Sequence, residues 1–228
     1  MKIVEIAVFL ACLPVFGFVH HATAEYKLIP VQGHAVYLSP EAVADGALLE
    51  QVVAKLDSDL AMIQGLLPKA AVGELVKVAF WMEHDNPETP GMTYHPNPVW
   101  LKEHGYNTDK ARSIEIGNLQ NFLAWHREQP FMVLHELSHA YHDRVVGTDK
   151  STILRAYELA VASHRYESVA YVNGEERRAY ALNNAAEYFA ELSEAYWGKN
   201  DFYPFVRSEL ETFDPSGFQI VEKLWLGR

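Results

Sequence analysis

The stretch Pro130-Phe-Met-Val-Leu-His-Glu-Leu-Ser-His-Ala-Tyr-His142 constrains this chain more than any other. It contains His135-Glu136-Leu137-Ser138-His139, an H-E-x-x-H pattern. On an α-helix, residues four apart share a face, so the two imidazoles stand one turn apart and point the same way. A single Zn²⁺ takes a nitrogen from each at about 2.0–2.1 Å. Glu136, beside the first imidazole, is placed to accept a proton from a water held by the metal rather than to bind the metal itself. A fold for this chain therefore has to supply a helix here, a third ligand from elsewhere and room for a substrate.

Local signals predict that helix without the motif. Gln129-Pro130 begins it, since proline is tolerated in a first turn, and Gly147 ends it. The third ligand is harder to assign. His142 extends the run to H-E-x-x-H-x-x-H, but residues seven apart on a helix are about 10.5 Å apart along its axis. His135 and His142 do not easily reach one ion, so His142 and Asp143 are read as supporting or surface groups. A second helix, predicted over 185–197 with Asn183-Asn184 as its cap and Gly198 as its stop, carries Glu187-Tyr-Phe-Ala-Glu191. Glu187 can complete a site of two histidines and one glutamate. Glu191, one turn on, can accept the second N–H of a ligand imidazole. Glu187 also lies three residues after Asn184, where it would serve as half of a capping interaction, and Glu191 would serve as an exposed helix charge. The apolar neighbours Ala186, Phe189, Ala190 and Leu192 favour the ligand reading, because a carboxylate among buried positions needs a partner.

The remaining chemistry is bounded by composition. The chain has 228 residues, enough for one large domain with a substantial core, and its net charge of −11 argues against a nucleic-acid partner. Residues 1–24 read as a signal peptide: Lys2, a largely apolar run over 6–19, and Ala22-Thr23-Ala24 as a small-x-small cleavage site. An uncleaved anchor, or lipidation at Cys12, is a weaker alternative. The expected location is secreted or periplasmic, without membrane association after cleavage. The single cysteine, Cys12, falls within that segment. A metal site in the mature chain must then use His, Asp, Glu or water.

Residues 25–228 read as a single domain, with 25–128 a mixed α/β part and 129–228 a mainly helical part that completes the zinc site. One or two strands are expected over 26–38, a helix entry at Ser39-Pro40-Glu41, a core helix over 48–67 stopped by Pro68, and a strand over 76–82. The Pro-, Gly-, Asn- and His-rich stretch 83–105 reads as a long loop that could wall a cleft. Its His84, His95 and His104 lack the rigid spacing that pre-forms a metal site. A strand is expected over 111–117, running beside the metal helix with an edge that a peptide could join, and a loop or short helical turn over 118–125. A helix over 152–168, a hairpin over 170–180 turning at Asn173-Gly174, and a last helix over 217–226 complete the reading.

His135-Glu136-Leu137-Ser138-His139 together with Asn184-Ala-Ala-Glu187-Tyr-Phe-Ala-Glu191 resembles the gluzincin metallopeptidases. More closely, it is similar to the catalytic domain of the anthrax-toxin lethal factor and its relatives, over roughly residues 129–205. The resemblance implies an α+β, zincin-like metallopeptidase fold, with a small mixed sheet, an edge strand beside the metal helix and a mainly helical C-terminal half. It implies one Zn²⁺ on His135, His139 and Glu187, with Glu136 as general base and Glu191 supporting the site. It also implies a tyrosine seven residues before the glutamate ligand, here Tyr180, that stabilises the oxyanion or protonates the leaving amine. The expected partner is a peptide or protein substrate. Two alternatives stay open: a zincin-fold binding module that no longer cleaves, and a zinc hydrolase of a non-peptide amide.

Overall fold

The computed structural model describes residues 21–147 and 150–227. The signal-peptide reading rests mostly on residues 1–20, Cys12 among them, which lie outside the described residues. No described helix is long and apolar enough to cross a membrane.

Apolar alternation on either side of Gln32-Gly33 produces a hairpin. β1 (Lys27–Val31) pairs antiparallel with β2 (His34–Leu38), Val31 opposite His34. Gln32 and Gly33 have φ of +48° and +85°, the two-residue turn whose twist matches its strands. Ser39 caps α1 (Pro40–Ala44) by accepting the Ala42 N–H. α2 (Gly46–Leu66) follows, and its Val52, Leu56, Leu60 and Ile63 form the buried stripe expected of a core helix. α3 (Lys69–Leu75) begins directly after Pro68.

The sheet is completed by three short strands. β3 (Phe80–Met82) is shorter than the 76–82 expected. β4 (Met92–Tyr94) and α4 (Pro98–Glu103) both lie within the stretch expected to be a long loop. β5 (Ile114–Ile116) is followed by α5 (Leu119–Trp125), capped by Asn118. The strand order is β1-β2-β3-β5-β4. β2, β3 and β5 run parallel, while β1 and β4 are antiparallel edges. The strand expected beside the metal helix at the sheet edge is thus interior: β5 has β3 on one side and β4 on the other. The edge belongs to β4, which packs against that helix.

Period-two alternation divides the sheet into two faces. Phe80, Met82, Ile114 and Ile116 join the apolar core with α2. Trp81 and Glu115 take the other face, and Glu115 is fully buried. It is held there by Lys110 Nζ at 3.1 Å, His95 Nε2 at 2.7 Å and Asn86 Nδ2 at 2.7 Å. Lys110 also pairs with buried Glu83 at 2.6 Å, and Tyr26 donates to the same Glu83 oxygen.

The C-terminal half is a helical layer. α6 (Met132–Tyr141) starts two residues later than the sequence suggests, because its first helical bond runs from the His135 N–H to the Phe131 carbonyl. Pro130, with no N–H to give, lies in the turn before it. A wide π-type turn, His142–Val146, leads to Gly147 at φ +54°. α7 (Lys150–Ala162) ends six residues short of its expected limit at Ser168. β6 (Val169–Ala170) and β7 (Glu176–Arg177) make the expected hairpin, but around a longer loop than Asn173-Gly174 alone. Asn173 turns that loop by accepting the Glu175 N–H. α8 (Ala185–Trp197) carries an unbroken buried run from Tyr188 to Tyr196. It sits between α6 on one side and α7, α9 (Arg207–Phe213) and α10 (Pro215–Leu226) on the others. α9 is not expected from the sequence. One continuous apolar core links the sheet, α2, α6, α8 and α10, so the 25–128 and 129–228 parts are packed as one α+β body.

Candidate metal centre

Two helices build the site. α6 buries Val133, Leu134, Leu137 and Ala140 and leaves His135 and His139 on the face toward α8. Their rings lie 4.8 Å apart between centroids at 80°. α8 begins where Asn184 Oδ1 accepts the N–H groups of Ala186 and Glu187. With the backbone capped by Asn184, the Glu187 side chain is not used for capping. It reaches α6, with Oε2 3.0 Å from His135 Nε2 and 3.1 Å from His139 Nε2.

One ligand atom each from His135, His139 and Glu187 lies within 4.8 Å of the others. Two ligands at about 2.0–2.1 Å from a tetrahedral ion stand about 3.3–3.4 Å apart, so small adjustments place all three around one Zn²⁺. The hydrogen-bond partners of His135 bear on the fit. Glu194 Oε1 lies 2.7 Å from His135 Nδ1 and, being a carboxylate oxygen, accepts a proton there. A neutral His135 would then turn a lone pair at Nε2 toward the Glu187 oxygen, whereas an imidazolium would donate to it. Two acceptors at that distance require a shared proton or a metal between them. Burial alone would push the His135 imidazole down, but its bonds to Glu187 and Glu194 raise it well above its ordinary range. Burial would raise Glu187, yet the two imidazoles hold it far below the usual carboxylate range.

The imidazole support differs from expectation. Glu191 stands 3.7 Å from His135 Nδ1, outside hydrogen-bond distance, whereas Glu194 makes the bond. Glu191 instead accepts from Asn200 Nδ2 at 3.2 Å. Burial pushes Glu194 up to about 7 and carries Glu191 well above its usual range, with Asp201 adding to the latter.

Glu136 faces the edge strand. Its Oε2 accepts the Tyr94 N–H at 2.8 Å, which leaves Oε1 for other work. The ladder between β4 and β5 is anchored by Gly117 N–H to the Gly91 carbonyl and His95 N–H to the Ser113 carbonyl. Alternation then turns the backbone groups of Met92 and Tyr94 to the free edge. Tyr94 is also tied to the π-type turn after α6, its hydroxyl donating to Asp143, which also pairs with Arg112. Tyr180 lies in a short 3₁₀ turn, Tyr180–Leu182, rather than at a strand end. Its ring centroid is 6.2 Å from that of His135 and it is 46% exposed, so it remains free to meet a ligand.

Other histidines stay outside the cluster. His84 meets Asp45, His95 meets Glu115 and His104 stacks on Trp100. His142 packs on Phe189, its Nε2 makes no hydrogen bond among the described residues, and burial lowers it to about 4. A cavity of about 250 Å³ opens beside His135 and Glu136, lined also by Tyr180, Trp125, Met92 and the carboxylates of Glu191, Glu194 and Asp201. Sequence reasoning missed Glu194, Asp201 and the Tyr94 amide. Only Glu194 carried a readable signal, its place seven residues after Glu187 on one helix face. No protein-family model, curated protein or solved structure matches the chain.

Proposed function

We propose that this chain is a secreted zinc metallopeptidase with a zincin-like fold, in which His135, His139 and Glu187 hold one Zn²⁺. The observation that carries the reading is the convergence of those three ligand atoms from two helices, with an acceptor of Glu187 facing an imidazole whose other nitrogen is committed to Glu194. Three protein ligands among the described residues leave a position for substrate or water, the pattern of catalytic rather than structural zinc. When bound there, the ion supplies Lewis acidity toward a water and a peptide carbonyl.

The chain's own residues supply the rest. Glu136, oriented by the Tyr94 N–H, takes a proton at its free oxygen and returns it to the leaving nitrogen. The Tyr180 phenol, beside His135, donates a hydrogen bond to the oxygen that gains charge. The free edge of β4 offers main-chain partners to an extended substrate.

Metal analysis of the purified protein should give one zinc per chain. Glu187→Ala should lower its affinity strongly, while His142→Ala should leave it bound. Glu136→Gln should keep the metal but lose about 10²–10⁴-fold in peptide hydrolysis. A Glu136→Gln protein that cleaves at the wild-type rate, or a Glu187→Ala protein that holds zinc as the wild type does, overturns the assignment.

A further inference from the structure

The cavity next to Glu136 has a composition that hydrolysis alone does not call for. Glu191, Glu194 and Asp201 all line it, and each is only 3% exposed. No lysine or arginine is among its lining residues. Asp201 accepts from Gln129 at 3.0 Å, Glu191 Oε2 accepts from Asn200, and Glu194 Oε1 holds His135. The second oxygens of Glu191 and Glu194 make no hydrogen bond among the described residues. Buried carboxylates are ordinarily paired, and both residues line the open space of the cavity. Glu136, Glu191, Glu194 and Asp201 place four carboxyl groups around the cavity and no lysine or arginine to pair with them, so an entering cation would find its partners there.

The outer wall is of a different kind. Trp125 is 40% exposed, and Met92 and Phe202 complete an apolar rim. An apolar mouth over a carboxylate floor matches a side chain with a hydrocarbon stem and a positive end, which packs its stem while its head reaches the charge. Met92 sits on the free edge of β4, so a chain laid along that edge passes directly over this rim.

We propose that this cavity is the subsite that receives a lysine or arginine side chain of the substrate, beside the bond on which Glu136 acts. The proposal rests on the metallopeptidase reading for its orientation, and it selects a substrate class: extended segments carrying a basic residue next to the cleaved bond. The carboxylates then have two roles. Glu194 fixes the His135 ring, and Glu191 and Asp201 recognise the cation.

The test separates binding from turnover. Zinc-loaded Glu136→Gln protein is titrated calorimetrically with blocked heptapeptides, otherwise alanine and serine, that carry Lys, Arg, norleucine or Glu at each position in turn. One further peptide has norleucine with a free amino terminus. The expected result is that Lys or Arg at one position binds about tenfold or more tighter than norleucine there, with Glu the weakest. Asp201→Asn, and separately Glu191→Gln, should collapse that preference to about threefold or less while zinc content and norleucine affinity stay constant. Equal or tighter binding of norleucine overturns the proposal. So does a gain from the free amino terminus alone, which would make the cavity a chain-end site, and so does a zinc stoichiometry of two, which would place a metal between His135, Glu191 and Glu194. Digestion of a peptide library by the wild-type protein is scored independently. No cleavage there sinks the peptidase reading and leaves the measured preference standing, whereas cleavage indifferent to basic residues sinks the preference alone.

Discussion

Glu194 shows how one spacing can exclude one residue and qualify another. Seven residues along a helix is too far for two side chains to share an ion, which removes His142 from the ligand set. The same separation lets Glu187 and Glu194 grip opposite edges of a single imidazole, 3.0 Å from Nε2 and 2.7 Å from Nδ1 of His135. Looking only one turn beyond Glu187 assigns the support to Glu191 instead. That His135, His139 and Glu187 face one another was legible because helix periodicity fixes their faces, whereas the partner of His135 Nδ1 depends on how deeply α8 slides along α6, which no local pattern encodes. Glu194→Ala should lower zinc affinity about 10–100-fold, the usual cost of losing a partner behind a ligand. Glu191→Ala should cost clearly less in a chelator competition assay. The reverse order would return the supporting role to Glu191.

At the scale of elements, the position of β4 matters most. Its Tyr94 amide orients Glu136, and it reaches that position through a turn packed tightly behind it. A Cβ on Gly117, at the end of β5, would lie 1.8 Å from the Thr89 carbonyl oxygen. That atom is backbone and cannot simply rotate away. Gly117→Ala should therefore displace the 86–94 segment and destabilise the protein by about 1–3 kcal/mol, measurable by urea denaturation. Activity should fall further than stability predicts, since a 1 Å shift at a reacting group costs up to about 10²-fold. An unchanged midpoint and rate would show that the approach is relaxed elsewhere. Strand character over 26–38, α2 and α8 were legible from period and capping, although the turn at Gln32-Gly33 was not singled out. β4 was not: three residues, Met-Thr-Tyr, set among prolines and glycines, are too few to show an alternation. Sheet order was equally hidden, because the place of β5 inside rather than at the edge depends on that unseen strand.

Across the whole molecule, the far face of the sheet carries a charge network that links the N-terminal segment, the 83–113 region and β5. Burial would raise the Glu115 carboxyl, but its hydrogen bond from His95 and the charge of Lys110 hold it down at about 2, against an ordinary 4.5. A carboxylate lowered on folding contributes stability that is fully present above pH 4.5 and disappears as the pH falls toward 2. The contribution is of order 3 kcal/mol at neutral pH, since each tenfold change in proton affinity is worth about 1.4 kcal/mol. Thermal unfolding followed from pH 6 to about pH 2 should show that decline, and Glu115→Gln should flatten it while lowering stability at neutral pH, because Lys110 then keeps a buried charge with one partner fewer. A wild-type profile that stays level across that interval would exclude Glu115 as its source.

The free edge of β4 has one more implication. Tyr94 has already given its N–H to Glu136, and the Met92 carbonyl accepts the Thr93 hydroxyl at 2.8 Å but keeps a second lone pair, so only Met92 can exchange both main-chain bonds with an incoming chain. One rung aligns a guest but does not grip it. Under the proposed function, discrimination then falls to side chains within a residue or two of that rung, and a target need expose only a short pliant loop rather than a long unfolded tail.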